Sequence, residues 1–232
     1  MNAAWEVFYT QMIEREGYRK VLEGLGNTVI IAVFGLLIGM VIGCLLATCK
    51  ILPKSSFIVK LLSGFADFYV AIFRGTPMVV QLLLMHFVLF PLMNIDIDSK
   101  FEAVLAFGLN SGAYVSEIMR GGILSVDIGQ TEAGRALGLN YGQTMLRIVL
   151  PQAIKNVVPT LGNEFIALLK ETSVVGFIAV VDLTKAFQNI ANSTYEYIIP
   201  YVVLALVYLV IVLAVTGIIK LVERRLRAGD RR

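Results

Sequence analysis

Long apolar runs, each close to the length of a bilayer crossing, recur along this chain and are separated by short polar stretches. The first, LGNTVIIAVFGLLIGMVIGCLLATC, covers roughly residues 25–49, carries no charge and is ended by Lys50. Within it Gly35, Gly39 and Gly43 repeat every fourth position, a spacing that lets helices approach closely in lipid and so marks a packing face. A second apolar region, 57–93, is too long for one simple crossing. It contains FRGTP at 73–77, where Pro77 removes a backbone donor and Gly75 loosens the helix, so one kinked span with its break inside the protein is predicted. Further spans fall at about 101–123, 152–180 and 197–221, and the fourth of these contains GNEFIALLKETS, too charged to face lipid. The pattern predicts an all-α polytopic membrane protein with five transmembrane helices.

Basic residues assign the sides. Lys50, Lys54 and Lys60 lie in the first loop, and Arg120, Arg135 and Arg147 in the third. The tail holds Lys220, Arg224, Arg225, Arg227, Arg231 and Arg232, whereas NIDIDS in the second loop has two aspartates and only Lys100 at its far end. The fourth loop is mixed, with Asp182, Lys185 and Glu196. Loops one and three and the carboxyl terminus are therefore expected in the cytoplasm, and the amino terminus outside. The opening MNAAWEVFYTQMIEREGYRK has no apolar core or small-residue cleavage site and does not read as a signal peptide. Residues 1–20 are expected as an interfacial amphipathic helix with Trp5, Phe8, Tyr9 and Met12 on one side. Residues 21–225 form one transmembrane domain, and 226–232 a basic cytoplasmic tail.

Composition supports the membrane assignment: 57% of the 232 residues are hydrophobic and 16% are charged, against about 25% charged in soluble domains. Mean hydropathy is +0.78. A net charge of +3, carried by scattered or helix-terminal residues, gives no reason to expect nucleic acid as a partner. Cys44 and Cys49, without a nearby histidine, suggest packing rather than a metal site or a disulfide.

One stretch stands apart from the apolar runs: TEAGRALGLNYGQTMLRIVLPQA, residues 131–153, in the third loop. Ser125 and Asp127 are potential N-caps upstream of it, and Gly138 can end a short helix in a left-handed conformation. NYGQTMLRIVLPQA then restarts as a second helix climbing toward the membrane. A compact helix–turn–helix bracket over 125–151 follows, either a rigid docking knob or an ordinary amphipathic surface helix.

Glu132-Ala133-Gly134, then Gly138, Ile148, Leu150 and Pro151, resemble the EAA signature of bacterial ABC-importer permeases at every spacing. Gly134 stands where that pattern has a second alanine, a difference of about 1 kcal/mol in helix propensity. FRGTPMVVQLLL, LNSGAYVSEIMRGGILSVDIGQTEAGRALG and LPQAIKNVVPTLGNEFIALLKETS extend the resemblance, over residues 20–225, to the type I permeases for polar amino acids. The resemblance implies a permease subunit of the bacterial plasma (inner) membrane, with its bracket seated as a coupling helix in an ABC ATPase dimer. Asp127, Glu132, Ala133, Gly134, Gly138, Leu150 and Pro151 would serve that contact. It also implies a second permease, copy or paralogue, and an extracellular or periplasmic binding protein that delivers the amino acid. ATP and magnesium would belong to the partner ATPase. The chain lacks a G-x-x-x-x-G-K-[ST] loop and would carry no cofactor and no catalytic residues of its own.

Ionisable groups at membrane depth are expensive and point to function unless they neutralise one another. A transported amino acid needs partners for a carboxylate and an ammonium. Arg74, the backbone around Gly75 and Thr76, Gln81, Glu164, Thr172 and Ser173 can supply both, beside a broken helix of the kind transporters use. Asp67 and the Lys170–Glu171 pair are expected to brace the structure, as is the i,i+3 pair Glu117–Arg120. His86, the single histidine, sits in an apolar run without an acidic neighbour in sequence and reads as a packing residue. The competing class is an ion-coupled secondary amino-acid transporter or channel using Asp67, Glu164 and Glu171. Five spans without an inverted repeat argue against it. A membrane-embedded hydrolase is remoter still, because His86 has no serine or cysteine partner in view.

Overall fold

The computed structural model describes residues 2–53 and 56–228; Lys54 of the first loop and Arg231 and Arg232 of the tail lie outside the described residues. Every regular element among them is helical: α1 (Asn2–Tyr9), α2 (Gly17–Ile51), α3 (Phe57–Gly75), α4 (Met78–Leu92), α5 (Ser99–Leu124), α6 (Ile128–Ala136), α7 (Tyr141–Thr144), α8 (Leu150–Glu171), α9 (Leu183–Thr194) and α10 (Ile198–Ala228). A π-turn at Met145–Val149 joins α7 to α8, and a 3-10 segment, Thr172–Ile178, follows α8.

α2 begins well before the apolar run, because the polar residues Arg19, Lys20 and Glu23 are good helix formers that remain solvated. It stops where Leu52 turns extended ahead of Pro53. Its stripe glycines, Gly35, Gly39 and Gly43, face α5. A Cβ on Gly39 would stand 2.7 Å from Ser111, and one on Gly43 would stand 2.6 Å from Val115 and 2.8 Å from the Ser116 backbone nitrogen. Ile38 and Ile42 of α2 lie in turn over Gly108 and Gly112 of α5. The small-residue stripe is thus the seam of the central helix pair, where backbones approach closely.

α3 and α4 meet at 105° across Thr76 and Pro77. Pro77 cannot donate to Phe73, and the orphaned carbonyl is served by side chains instead. The Gln81 Nε2 donates to the Phe73 oxygen at 2.8 Å and to the Thr76 oxygen at 3.0 Å. Asn110 Nδ2 of α5 donates to the same Phe73 oxygen at 3.3 Å and to Gln81 Oε1 at 3.0 Å. The residues at the break, Arg74 to Pro77, are exposed in this chain rather than enclosed by it, and the buried Gln81–Asn110 amide pair bridges it from one side.

By length and composition α2 and the Ile198–Leu226 portion of the last helix can cross a membrane; the bent α3–α4 pair is apolar enough to add a third crossing if its two arms form one span, and otherwise makes a re-entrant loop. α5 and α8 are of similar length but carry Glu102, Glu117 and Arg120, and Lys155, Glu164, Lys170 and Glu171, respectively. Large apolar side chains cover the outside, among them Phe34 and Val41 of α2, Phe65 and Phe68 of α3, and Leu209 and Leu213 of α10. Such a surface needs lipid or protein against it.

The amino-terminal helix is seated on the protein. Phe8 is buried among Leu183, Phe187, Ile190 and Leu204 of α9 and α10, and Met12 packs on the same cluster. Trp5 and Tyr9 stay exposed, so the four residues predicted on one side divide between core and surface.

Candidate functional site

α5 and α8 run antiparallel, and the polar side chains of the bundle collect between them. Ser111 Oγ donates to Glu164 Oε1 at 3.2 Å, and Asn156 Nδ2 donates to Ser125 Oγ at 2.9 Å, four turns along α5 from Ser111. Asn156, Thr160 and Glu164 repeat at every fourth position and share one face of α8. Between the two contacts lies an open cavity of about 630 Å³, bordered by Arg74, Tyr114, Glu117, Ser125, Asn156 and Thr160. Glu164 is half-buried at the end of this column away from α6.

A charge network ties three helices beside the cavity. Lys50 Nζ lies 2.6 Å from Glu117 Oε1 and 2.9 Å from Asp67 Oδ1, so the end of α2 is clamped to α5 and α3 together. Arg120 adds a second cation to Glu117 at 2.9 Å. Arg74 reaches the same carboxylate only at 3.9 Å, and its guanidinium sits 5.4 Å from the Tyr114 ring centroid. Asp67 and the Glu117–Arg120 pair brace the helices, as expected. Lys50 and Glu117 are both half-buried, so removing one partner would leave the other's charge less well compensated.

The other candidates scatter. Gly75 faces open space, and Thr76 Oγ1 donates to the Ile72 oxygen at 2.9 Å. Gln81 is buried, with its amide committed to the helix break. Thr172 is buried and donates to the Leu169 oxygen at 2.9 Å. Ser173 borders a separate cavity of about 230 Å³ with Thr184, Lys185, Gln188 and Tyr201. Lys170 and Glu171 are both exposed. His86 does have an acidic partner: its Nδ1 meets the buried Glu102 carboxylate at the start of α5. The polar repeat at 156, 160 and 164 is visible in the sequence once α8 is read as a helix. Ser111 and Tyr114 carry no comparable signal.

The bracket is built as its sequence suggests. Asp127 Oδ1 caps α6 through the Gly129 N–H at 2.7 Å. Gly138 turns left-handed at φ 83°. Asn140 and Gln143 form a reciprocal capping box that starts α7. Ser125 is no N-cap; its hydroxyl donates back to the Gly122 oxygen at 2.7 Å, closing α5. Gly134 is buried against Thr144 and Ile148, whose side chains would lie 2.8 and 2.9 Å from a Cβ there, so its missing methyl lets the two arms close. Leu150 and Pro151 open α8 directly after the π-turn Met145–Val149, which brings the chain into the helix just before the proline's missing N–H. Glu132 is exposed, and so are Ile128 and Leu137 at 75% and 82%, two apolar side chains on a polar knob.

Residues 35–228 match the family described as "Binding-protein-dependent transport system inner membrane component". The chain is 44% identical to the arginine transport system permease protein ArtQ of Bacillus subtilis, across 90% of this chain and 94% of that protein. It is 40% identical to a putative glutamine transport system permease protein GlnP of Rickettsia bellii, across 89% and 92%. Among solved structures, one chain from a crystal structure of an amino acid ABC transporter with histidines superposes with a TM-score of 0.84. The two are 37% identical, and the match covers 94% of this chain and 98% of that one.

Proposed function

This chain belongs to the family of binding-protein-dependent transport system inner membrane components, and from that membership we propose how its parts divide the work of import. It is an amino-acid ABC transporter permease subunit, membrane-integral, and a transport component rather than an enzyme. In our reading it spans the bacterial inner membrane five times, with α5 and α8 counted as spans, the amino terminus outside and the tail inside. α6 then lies in the cytoplasm. A receptor outside delivers a polar amino acid, basic ones included, and two permeases line the path. An ABC ATPase dimer binds ATP and magnesium and drives alternating access through the bracket.

One observation carries the reading: a column of polar side chains, from Glu164 and Ser111 to Asn156 and Ser125, runs through an apolar bundle toward an exposed, capped bracket. The carboxylate of Glu164 suits the ammonium of any amino acid and the side-chain cation of a basic one. Gly75 and Thr76 leave backbone groups at the break beside Arg74, while Gln81 and Thr172 hold the path in shape. Ser173 belongs to the outer approach. The bracket residues Asp127, Glu132, Ala133, Gly134, Gly138, Leu150 and Pro151 form and present the ATPase contact. Ile128 and Leu137 add its apolar anchors. No observation favours the ion-coupled transporter.

The test is uptake into proteoliposomes containing this permease, its partner ATPase and the receptor, with arginine, glutamine, cystine and histidine as the panel. ATP-dependent, receptor-dependent uptake of at least one is expected; uptake driven by an ion gradient without ATP would overturn the reading. Topology has its own check. A reporter active only outside the cell should signal when fused near Asp96 and stay silent after Arg232, and an active carboxyl-terminal fusion would refute the tail-inside arrangement.

A further inference from the structure

The charges around Glu117 do not cancel. Lys50, Arg74 and Arg120 bring three positive charges against two negative ones from Asp67 and Glu117, leaving an excess of one. The short contacts, from 2.6 to 2.9 Å, belong to Lys50 and Arg120, so the excess falls on Arg74. A guanidinium has five N–H donors and no acceptor. Among the described residues that of Arg74 donates no hydrogen bond: its Glu117 contact at 3.9 Å is too long, and its other neighbour is the Tyr114 ring. It is 46% exposed, and the space it faces is the cavity of about 630 Å³. Across that space Asn156 and Thr160 offer an amide and a hydroxyl, both exposed to it.

We propose that this cavity is a release station on the α6 side of the path, where Arg74 takes the carboxylate of the departing amino acid and Asn156 and Thr160 accept its ammonium. The proposal rests on the transport reading above and adds a second site to it, at the end of the column opposite Glu164. A carboxylate fits the guanidinium fork with two parallel bonds, which a lysine cannot reproduce. The ammonium meets only neutral acceptors, because the Glu117 carboxylate is already engaged by Lys50 and Arg120. One charged and one neutral end give a weak grip, suited to letting go. The same site fills from the cytoplasm when the amino acid accumulates there, and a filled station slows the next cycle.

The experiment preloads the proteoliposomes with the best-transported member of the panel and measures initial uptake of the labelled amino acid from outside. Each variant is compared with its own uptake into empty vesicles, and co-purification of the ATPase reports assembly. Uptake into empty vesicles tests the transport reading by itself, whatever the vesicles later contain. With the unaltered permease, internal amino acid should halve uptake at a concentration that its carboxamide derivative and acetate cannot match. Arg74→Gln and, on the opposite wall, Asn156→Leu should each raise that concentration about tenfold, the factor expected for a lost hydrogen bond to a charged group. Arg74→Lys should restore part of the loss. Inhibition that is absent, that is equally strong with the carboxamide or acetate, or that is unchanged in both variants would overturn the proposal.

Discussion

Glu132→Lys should leave the permease in the membrane at normal levels and reduce ATP-driven uptake by a hundredfold or more. Glu132 is exposed on α6 and makes no ion pair among the described residues, so its replacement removes no contact seen there, and surface changes of this kind shift stability by about 0.5 kcal/mol at most. In our reading the loss arises at the interface with the ATPase. Ile128 and Leu137 flank Glu132 on the bracket and, once buried, would exclude water around it. Breaking a desolvated charge pair across an interface costs about 2–5 kcal/mol, and reversing the sign adds repulsion. A factor of ten in affinity corresponds to about 1.4 kcal/mol, so ATPase capture should fall in parallel with uptake. Membrane-inserted Glu132→Lys permease that still captures its ATPase and transports at the original rate would exclude a coupling role for this face.

The bracket could be read from the chain because its signals are local. Asp127, Gly138 and the Asn140–Gln143 pair act on backbone within a few residues, and such chemistry is legible wherever it occurs. The Pro77 break is local in the same way. What resolves it is not: the Phe73 carbonyl is served by Gln81 and by Asn110 from another helix, and only the folded bundle brings them together. Gln81 reads in the sequence as a pathway candidate, and that its amide bridges the break is visible only in the fold. His86 misled for the same reason, since Glu102 reaches it across a loop.

Helical periodicity gave the faces but not their partners. The α2 glycines were legible as a packing stripe, and α5 as its partner was not. The Gly134 substitution reads as a small loss of helix propensity in one dimension. In three it is a fitting adjustment, because Thr144 and Ile148 occupy the room a methyl would take. Arg74 is the longest-range case. Its position next to the break suggests a role at that level, yet its side chain turns along α5 to Tyr114 and Glu117, one and two turns from Ser111.

Glu164→Gln should reduce uptake by roughly tenfold to a hundredfold while leaving ATPase association intact. Glu164 is half-buried on α8, and among the described residues its side chain accepts one hydrogen bond, from the Ser111 hydroxyl at 3.2 Å, a neutral donor. A carboxylate so placed is poorly compensated by the protein alone, and a cationic group arriving beside it gains a charge-assisted contact. Glutamine preserves the shape and can still accept from Ser111, so packing and folding should change little. What disappears is the attraction to an ammonium or guanidinium, about 1.5–3 kcal/mol for a hydrogen bond to a charged group. The loss should be larger for arginine than for glutamine, because the basic side chain offers a second cation. Glu164→Ala separates the alternatives: as a brace, Glu164 would tolerate glutamine with full transport of every amino acid in the panel, whereas alanine would lower the melting temperature of the complex. That outcome would remove Glu164 from the pathway. Selective loss of basic amino acids in a complex with an unchanged melting temperature would place the carboxylate beside the moving substrate.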